Sequence, residues 1–143
     1  MGNKIRSVAG SSPCAASAEA VWQVWTDPSS WPGDVIEFGS VDGDFVVGAR
    51  VGVKVKGGVK TYSTLTRVEA PSIWTSETRF AGLTLTYEHT IEPQGSGTVL
   101  TERVVMTGPF AGVAHRVLRR QLERTFTAVT GYIGHLAETR LPR

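Results

Sequence analysis

Hydrophobic and polar positions change rhythm twice along this chain. A short opening strand is expected around Lys4–Cys14, after which Ser17 stands where a helix N-cap belongs. The apolar positions of Ala18-Glu19-Ala20-Val21-Trp22-Gln23-Val24-Trp25 suit a short helix, and Asp27-Pro28 ends it. Ser29-Ser30-Trp31-Pro32-Gly33 reads as a further turn of helix and a break, because proline steers the residue before it away from helical backbone. From Val41 to Thr107 the chain alternates and is rich in Val, Thr, Tyr and Trp. Asp42-Gly43-Asp44, Val47-Gly48-Ala49, Gly57-Gly58, Ala70-Pro71, Ala81-Gly82 and Pro93-Gln94-Gly95-Ser96-Gly97 punctuate it, the pattern of five or six successive antiparallel strands. After Gly108-Pro109 the period becomes helical. Ala114, Val117, Leu118, Gln121, Leu122, Thr125, Val129, Tyr132 and Leu136 are expected in one stripe, with the arginines opposite.

This order implies a single α+β domain over residues 1–143: a curved antiparallel sheet of about six or seven strands around a long C-terminal helix, with two short helices after the first strand. A sheet that curves more than side chains can fill leaves an apolar cavity between sheet and helix, and such concavities take small molecules. Register follows from alternation, since a one-residue slip turns every side chain to the other face. In Leu83–Glu92 the odd set, Leu83, Leu85, Tyr87, His89 and Ile91, faces inward. A hairpin through Pro93–Gly97 then sets Ile91 opposite Leu100, His89 opposite Glu102, Tyr87 opposite Val104 and Leu85 opposite Met106. Across the Ala81-Gly82 turn, Phe80 pairs with Leu83, Thr78 with Leu85, Ser76 with Tyr87 and Trp74 with His89. The segment Val59–Glu69 gives no clean phase, so Tyr62 and Arg67 have no assigned face.

Composition narrows the class. The single cysteine, Cys14, excludes an intramolecular disulfide, and no Cys/His spacing suits structural zinc. A chain of 143 residues buries roughly 70% of its extended surface on folding, so it needs no such staple. No apolar run reaches the length of a membrane span, and Met1–Arg6 lacks a signal-peptide core, so the expectation is a cytoplasmic protein. Gly2 is no myristoylation site, because Arg6 stands where Ser or Thr is needed. The net charge of +2 divides into −2 over residues 1–110 and +4 over residues 111–143. Arg116, Arg120 and Arg124, with Arg119 beside them, share one side of the last helix. A nucleic-acid or anionic-membrane patch would want aromatic interleaving that is missing there, so no nucleic-acid partner is expected and a solvated back face is the first reading, with a regulatory contact as the alternative.

The chain resembles the START-like helix-grip (SRPBCC) superfamily, in particular its polyketide cyclase/dehydrase branch. The resemblance is carried by Ala16-Ser17-Ala18-Glu19-Ala20-Val21-Trp22 leading to Thr26-Asp27-Pro28-Ser29-Ser30-Trp31-Pro32, by Gly48-Ala49-Arg50, and by Thr84, Tyr87-Glu88-His89 and Glu92-Pro93. Gly97-Thr98-Val99-Leu100-Thr101 and Thr107-Gly108-Pro109 complete it. Ser17 stands where the family often has proline, and Gly33-Asp34 where an acidic residue and a second tryptophan are common. The resemblance implies a small hydrophobic polyketide-, aromatic- or lipid-like ligand, no cofactor or metal, delivery by an acyl carrier protein as one option, and a monomer or homodimer.

Two polar side chains stand out on the expected apolar wall. A histidine beside a carboxylate, His89 with Glu102, can serve as general acid or base, because the partner fixes the imidazole tautomer. The same pair can equally be a satisfied cross-strand contact. In a cyclase or dehydratase, the pair would remove a proton from an activated methylene and protonate a departing hydroxyl, with Tyr87 or Tyr62 hydrogen-bonding the enolate oxygen. Trp74, Ser76, Leu85, Val104 and Met106 on the sheet, Leu118 and Leu122 on the helix, and Trp31 at the entrance are the expected ligand contacts. Three functions stay open: a cofactor-free enzyme, a non-catalytic carrier or sensor, and an interaction module acting through the arginine face.

Overall fold

The computed structural model describes residues 6–31 and 36–140, and of Phe38 the backbone alone. The expected strand start at Lys4, the break at Pro32-Gly33 and Asp34 lie outside the described residues. Strand β1 (Arg6–Cys14) leads into helix α1 (Ala18–Trp25), whose first turn is closed by Ser17: its hydroxyl oxygen accepts the Ala20 N–H at 3.2 Å. Asp27 caps the next turn, a 3-10 helix over Pro28–Ser30, accepting the Ser29 N–H at 3.1 Å and the Ser29 hydroxyl at 2.7 Å. The Ser29 hydroxyl chiefly, with smaller help from Ser30 and the Arg140 charge, holds the Asp27 carboxyl below its usual range.

The alternating middle of the chain forms β2 (Ile36–Val41), β3 (Arg50–Val55), β4 (Lys60–Glu69), β5 (Ile73–Phe80), β6 (Leu83–Gln94) and β7 (Gly97–Thr107). With β1 they make one curled seven-stranded antiparallel sheet in the order β1-β7-β6-β5-β4-β3-β2. Helix α2 (Ala111–Thr139) lies along its concave side, which is the helix-grip arrangement. The registers argued from alternation hold pair for pair: Trp74 opposite His89, Ser76 opposite Tyr87, His89 opposite Glu102, Tyr87 opposite Val104. The missing phase of β4 has a local cause. A bulge between Leu65 and Arg67 breaks the alternation, so that Leu65 is buried before it and Val68 meets Trp74 after it. Tyr62 thereby falls on the outer face, where the Arg50 guanidinium lies 4.1 Å above its ring.

The expected stripe of α2 needs correction. Val117 is 71% and Tyr132 40% exposed, whereas Phe126, Thr130, Ile133 and Ala137, outside the expected stripe, are buried, with Val129 buried as expected. The helix is thus turned by roughly a quarter of its circumference from the expected phase. Its second half is fixed by β1. Gly10 carries no side chain where the backbone of Phe126 and Thr127 passes, and an added Cβ would stand 2.6 Å from the Thr127 nitrogen. The buried Thr130 hydroxyl shares a 2.9 Å hydrogen bond with Ser12, and Glu138 accepts the Ala15 N–H at 2.6 Å. Polar ties that a hydrophobic pattern does not display therefore set the rotation.

Candidate functional site

A cavity of about 130 Å³ lies between the concave face and α2. Sheet strands furnish one wall with Trp74 and Ser76 from β5, Tyr87 and His89 from β6, and Glu102 from β7. Val51, Val53 and Val55 of β3 and Thr61 and Ser63 of β4 form the flank, and Leu122, Thr125, Phe126 and Val129 of α2 the roof. Trp25, Trp31 and Ile36 close the remaining side.

Trp31 is positioned by two features. Its indole N–H donates to the Trp25 carbonyl at 3.1 Å, and its ring lies so close to Gly39 that an added Cβ there would meet it at 2.4 Å. Only glycine lets the indole lie flat on β2. Trp31 and Trp74 are parallel within 1°. On Trp74 the His89 imidazole stacks at 3.4 Å, and Trp25 meets His89 edge-on at 5.3 Å.

The hydrogen bonding of His89 fixes its chemistry. Nδ1 is 3.1 Å from the Trp74 carbonyl oxygen, which can only accept, so Nδ1 carries a proton. Nε2 then faces Glu102 Oε2 at 3.5 Å, with both side chains largely buried. Nε2 is thereby left as the ring's acceptor, with a carboxylate beside it and the cavity in front of it. Burial, and secondarily the Glu102 charge, pushes the Tyr87 phenol up to about 12, so it stays a donor. The Trp74 indole N–H is buried without a hydrogen-bond partner, an uncommon state for a donor on a cavity wall.

Seven of the residues singled out from sequence meet at this cavity: His89, Glu102, Trp74, Ser76, Tyr87, Trp31 and Leu122. Five do not line it. Leu85, Val104 and Met106 pack instead with Val8, Ala111 and Phe126 in a filled aliphatic cluster. Leu118 is half-buried one turn before Leu122, and Tyr62 points outward because of the β4 bulge. Trp25 and the β3 valines are not among the contacts expected from sequence, although the alternation of Val51, Val53 and Val55 carried the signal. Among the described residues no group of three or more His, Cys, Asp or Glu could hold a metal ion, and no helix is long and apolar enough to cross a membrane.

Solved structures share the whole architecture at low identity. The di-domain ARO/CYC StfQ of the steffimycin biosynthetic pathway superimposes with a TM-score of 0.75 at 14% identity, over 95% of this chain and 51% of that one. This chain thus spans about half of StfQ. Norcoclaurine synthase of Thalictrum flavum, as a point mutant with a transition-state analogue, gives 0.72 at 14% identity and 99% coverage of both chains. Protein Ms6760 of Mycobacterium smegmatis gives 0.69 at 20% identity, covering 96% of this chain and 98% of that one. No curated protein sequence matches the chain. Residues 6–134, however, match the family model described as polyketide cyclase / dehydrase and lipid transport, and this chain belongs to that family.

Proposed function

We propose that the protein binds a small hydrophobic carbonyl compound of polyketide or aromatic type and acts on it by cofactor-free acid–base chemistry, as a cyclase or dehydratase. The observation that carries this reading is the His89–Glu102 pair, with His89 Nδ1 held by the Trp74 carbonyl and Nε2 set beside the Glu102 carboxylate on the wall of an apolar cavity. Nε2 takes a proton from an activated C–H while the bonding electrons move onto the neighbouring carbonyl oxygen, and the Glu102 carboxylate steadies the imidazolium that forms. The Tyr87 hydroxyl donates to that developing enolate. After the enolate carbon has attacked a second carbonyl, Nε2 returns its proton to the alkoxide so formed; it then takes the remaining proton of the attacking carbon and delivers it to the new hydroxyl, which departs as water as the C=C bond forms. A cavity of about 130 Å³ is of the order that holds one benzene-sized ring, so the reacting ring enters while the rest of a longer chain stays at the mouth.

The test is replacement. His89→Gln and Glu102→Gln keep the shape and lose the acid–base pair. With the true substrate each is expected to lower kcat by roughly 10²–10⁴ while leaving ligand affinity within a few-fold. Folded variants that turn over at the wild-type rate end this mechanism.

A second reading has an observation in its favour. The unpaired Trp74 N–H suits an acceptor oxygen on a ligand whether or not a proton then moves, as a carrier or sensor requires. Native mass spectrometry of protein purified from its host separates the two: an unchanged hydrophobic guest favours the carrier, and a converted one the enzyme.

A further inference from the structure

The first half of α2 shows an outer face that neither the fold nor the cavity uses. Phe110, which caps the helix, is 59% exposed, Val113 64% and Val117 71%. At 100° per residue these three fall within about 60° of one another around the helix. Phe110 also lies against Gly82 in the β5–β6 hairpin, where Phe80 is 49% exposed, so the apolar ridge continues onto the sheet. Alongside it, Arg116, Arg120 and Arg124 are all exposed, and none forms an ion pair with a described residue. The sequence holds no acidic residue between Glu102 and Glu123. Three cations with no ion-pair partner among the described residues, next to four projecting apolar side chains, are costly for a surface that meets only water.

We infer that this face docks on an anionic phospholipid bilayer. A helix lying in a membrane interface needs an apolar ridge to sink below the headgroups and arginines beside it to meet lipid phosphates, and residues 110–124 supply both. The ridge is narrow. A handful of protruding side chains is less than a stable protein–protein interface requires, whereas a bilayer moulds itself to isolated Phe and Val side chains. Position gives the docking a use. Thr125, about a quarter-turn from the ridge on the same helix half, and Leu122, on the side away from it, line the cavity, so the docked protein holds its cavity roof within one helix diameter of the phase in which a hydrophobic ligand dissolves. The inference requires no proton transfer and stands apart from the acid–base reading.

The experiment is vesicle co-sedimentation of the full chain at low salt, with phosphatidylglycerol/phosphatidylcholine vesicles against pure phosphatidylcholine. Binding to the anionic vesicles, weakening as salt is raised, is the expected result. Each arginine near an anionic surface is worth about fivefold, so Arg116→Gln/Arg120→Gln/Arg124→Gln is expected to weaken binding by roughly 100-fold. Val113→Ser/Val117→Ser is expected to weaken it about tenfold. All five positions are exposed, so thermal midpoints stay near wild type and a loss of binding is not a loss of fold. Equal affinity for both vesicle types, or no binding to either, overturns the inference. So does binding that neither variant changes. Capture of an acidic protein by the wild type but not by the arginine variant, with vesicles ignored, assigns the face to a protein partner instead.

Discussion

Two neighbouring stretches of the same concave face are put to opposite uses. Toward one end, Leu85, Val104 and Met106 join Val8, Ala111 and Phe126 in a filled cluster, each 8% exposed or less. Toward the other, the next inward positions of the same strands, Tyr87, His89 and Glu102, carry polar atoms and border empty volume. Strand alternation treats the two stretches alike, and the helix does not. Ala111 and Phe126 press onto the first, while Leu122, Thr125 and Val129 stand off from the second and roof it. A face is thus assigned by the strand, and its use by what the opposing element leaves room for.

That contrast can be broken by stability measurements. Met106→Ala empties the filled stretch and is expected to cost about 3 kcal/mol, lowering the thermal midpoint by about 10 °C, whereas His89→Gln is expected to cost about 1 kcal/mol or less. Equal losses for the two would make the furnished stretch ordinary core. Gly10→Val tests the clamp that sets the rotation of α2. The new side chain meets helix backbone, and about 2 kcal/mol of destabilisation is expected in denaturant titration. A neutral result would show that the helix can shift, and with it the roof.

Alkaline titration probes the furnished stretch itself. The Tyr87 pKa is raised above its unfolded value near 10, so its contribution is complete below about pH 10 and is lost as pH rises toward 12. A loss of about 1–2 kcal/mol over that window is expected in the wild type and not in Tyr87→Phe, together with a phenolate absorbance step near pH 12 that the variant lacks. The smallest effect belongs to Asp27, whose lowered pKa contributes stability above the unfolded value of 3.8 that is lost as pH falls through the folded one. Asp27→Asn is expected to remove a few tenths of a kcal/mol of acid sensitivity, read as the difference in thermal midpoint between pH 6 and pH 3.

Much of the molecule was legible because β-alternation is strict wherever one face is buried. The His89–Glu102 and Trp74–His89 pairings follow from counting outward from two hairpins. What escaped did so for identifiable reasons. The β4 bulge reverses alternation midway, which hid the outward side of Tyr62 and the inward sides of Thr61 and Ser63. The rotation of α2 depends on Gly10 and on the Ser12–Thr130 bond, contacts between distant segments that leave no periodic trace. Leu85, Val104 and Met106 were placed on the correct face but on the wrong side of the line between core and cavity, because patterning carries no information about depth.

The stacking of His89 on Trp74 has an optical consequence. Three of the four tryptophans, Trp25, Trp31 and Trp74, border the cavity, so a guest that displaces solvent there alters intrinsic fluorescence without any label. Imidazolium quenches indole emission more strongly than neutral imidazole. With the two rings 3.4 Å apart, the brightness of Trp74 reports on the charge of the His89 imidazole. The protein therefore carries its own spectroscopic gauge of the state on which its proposed chemistry depends.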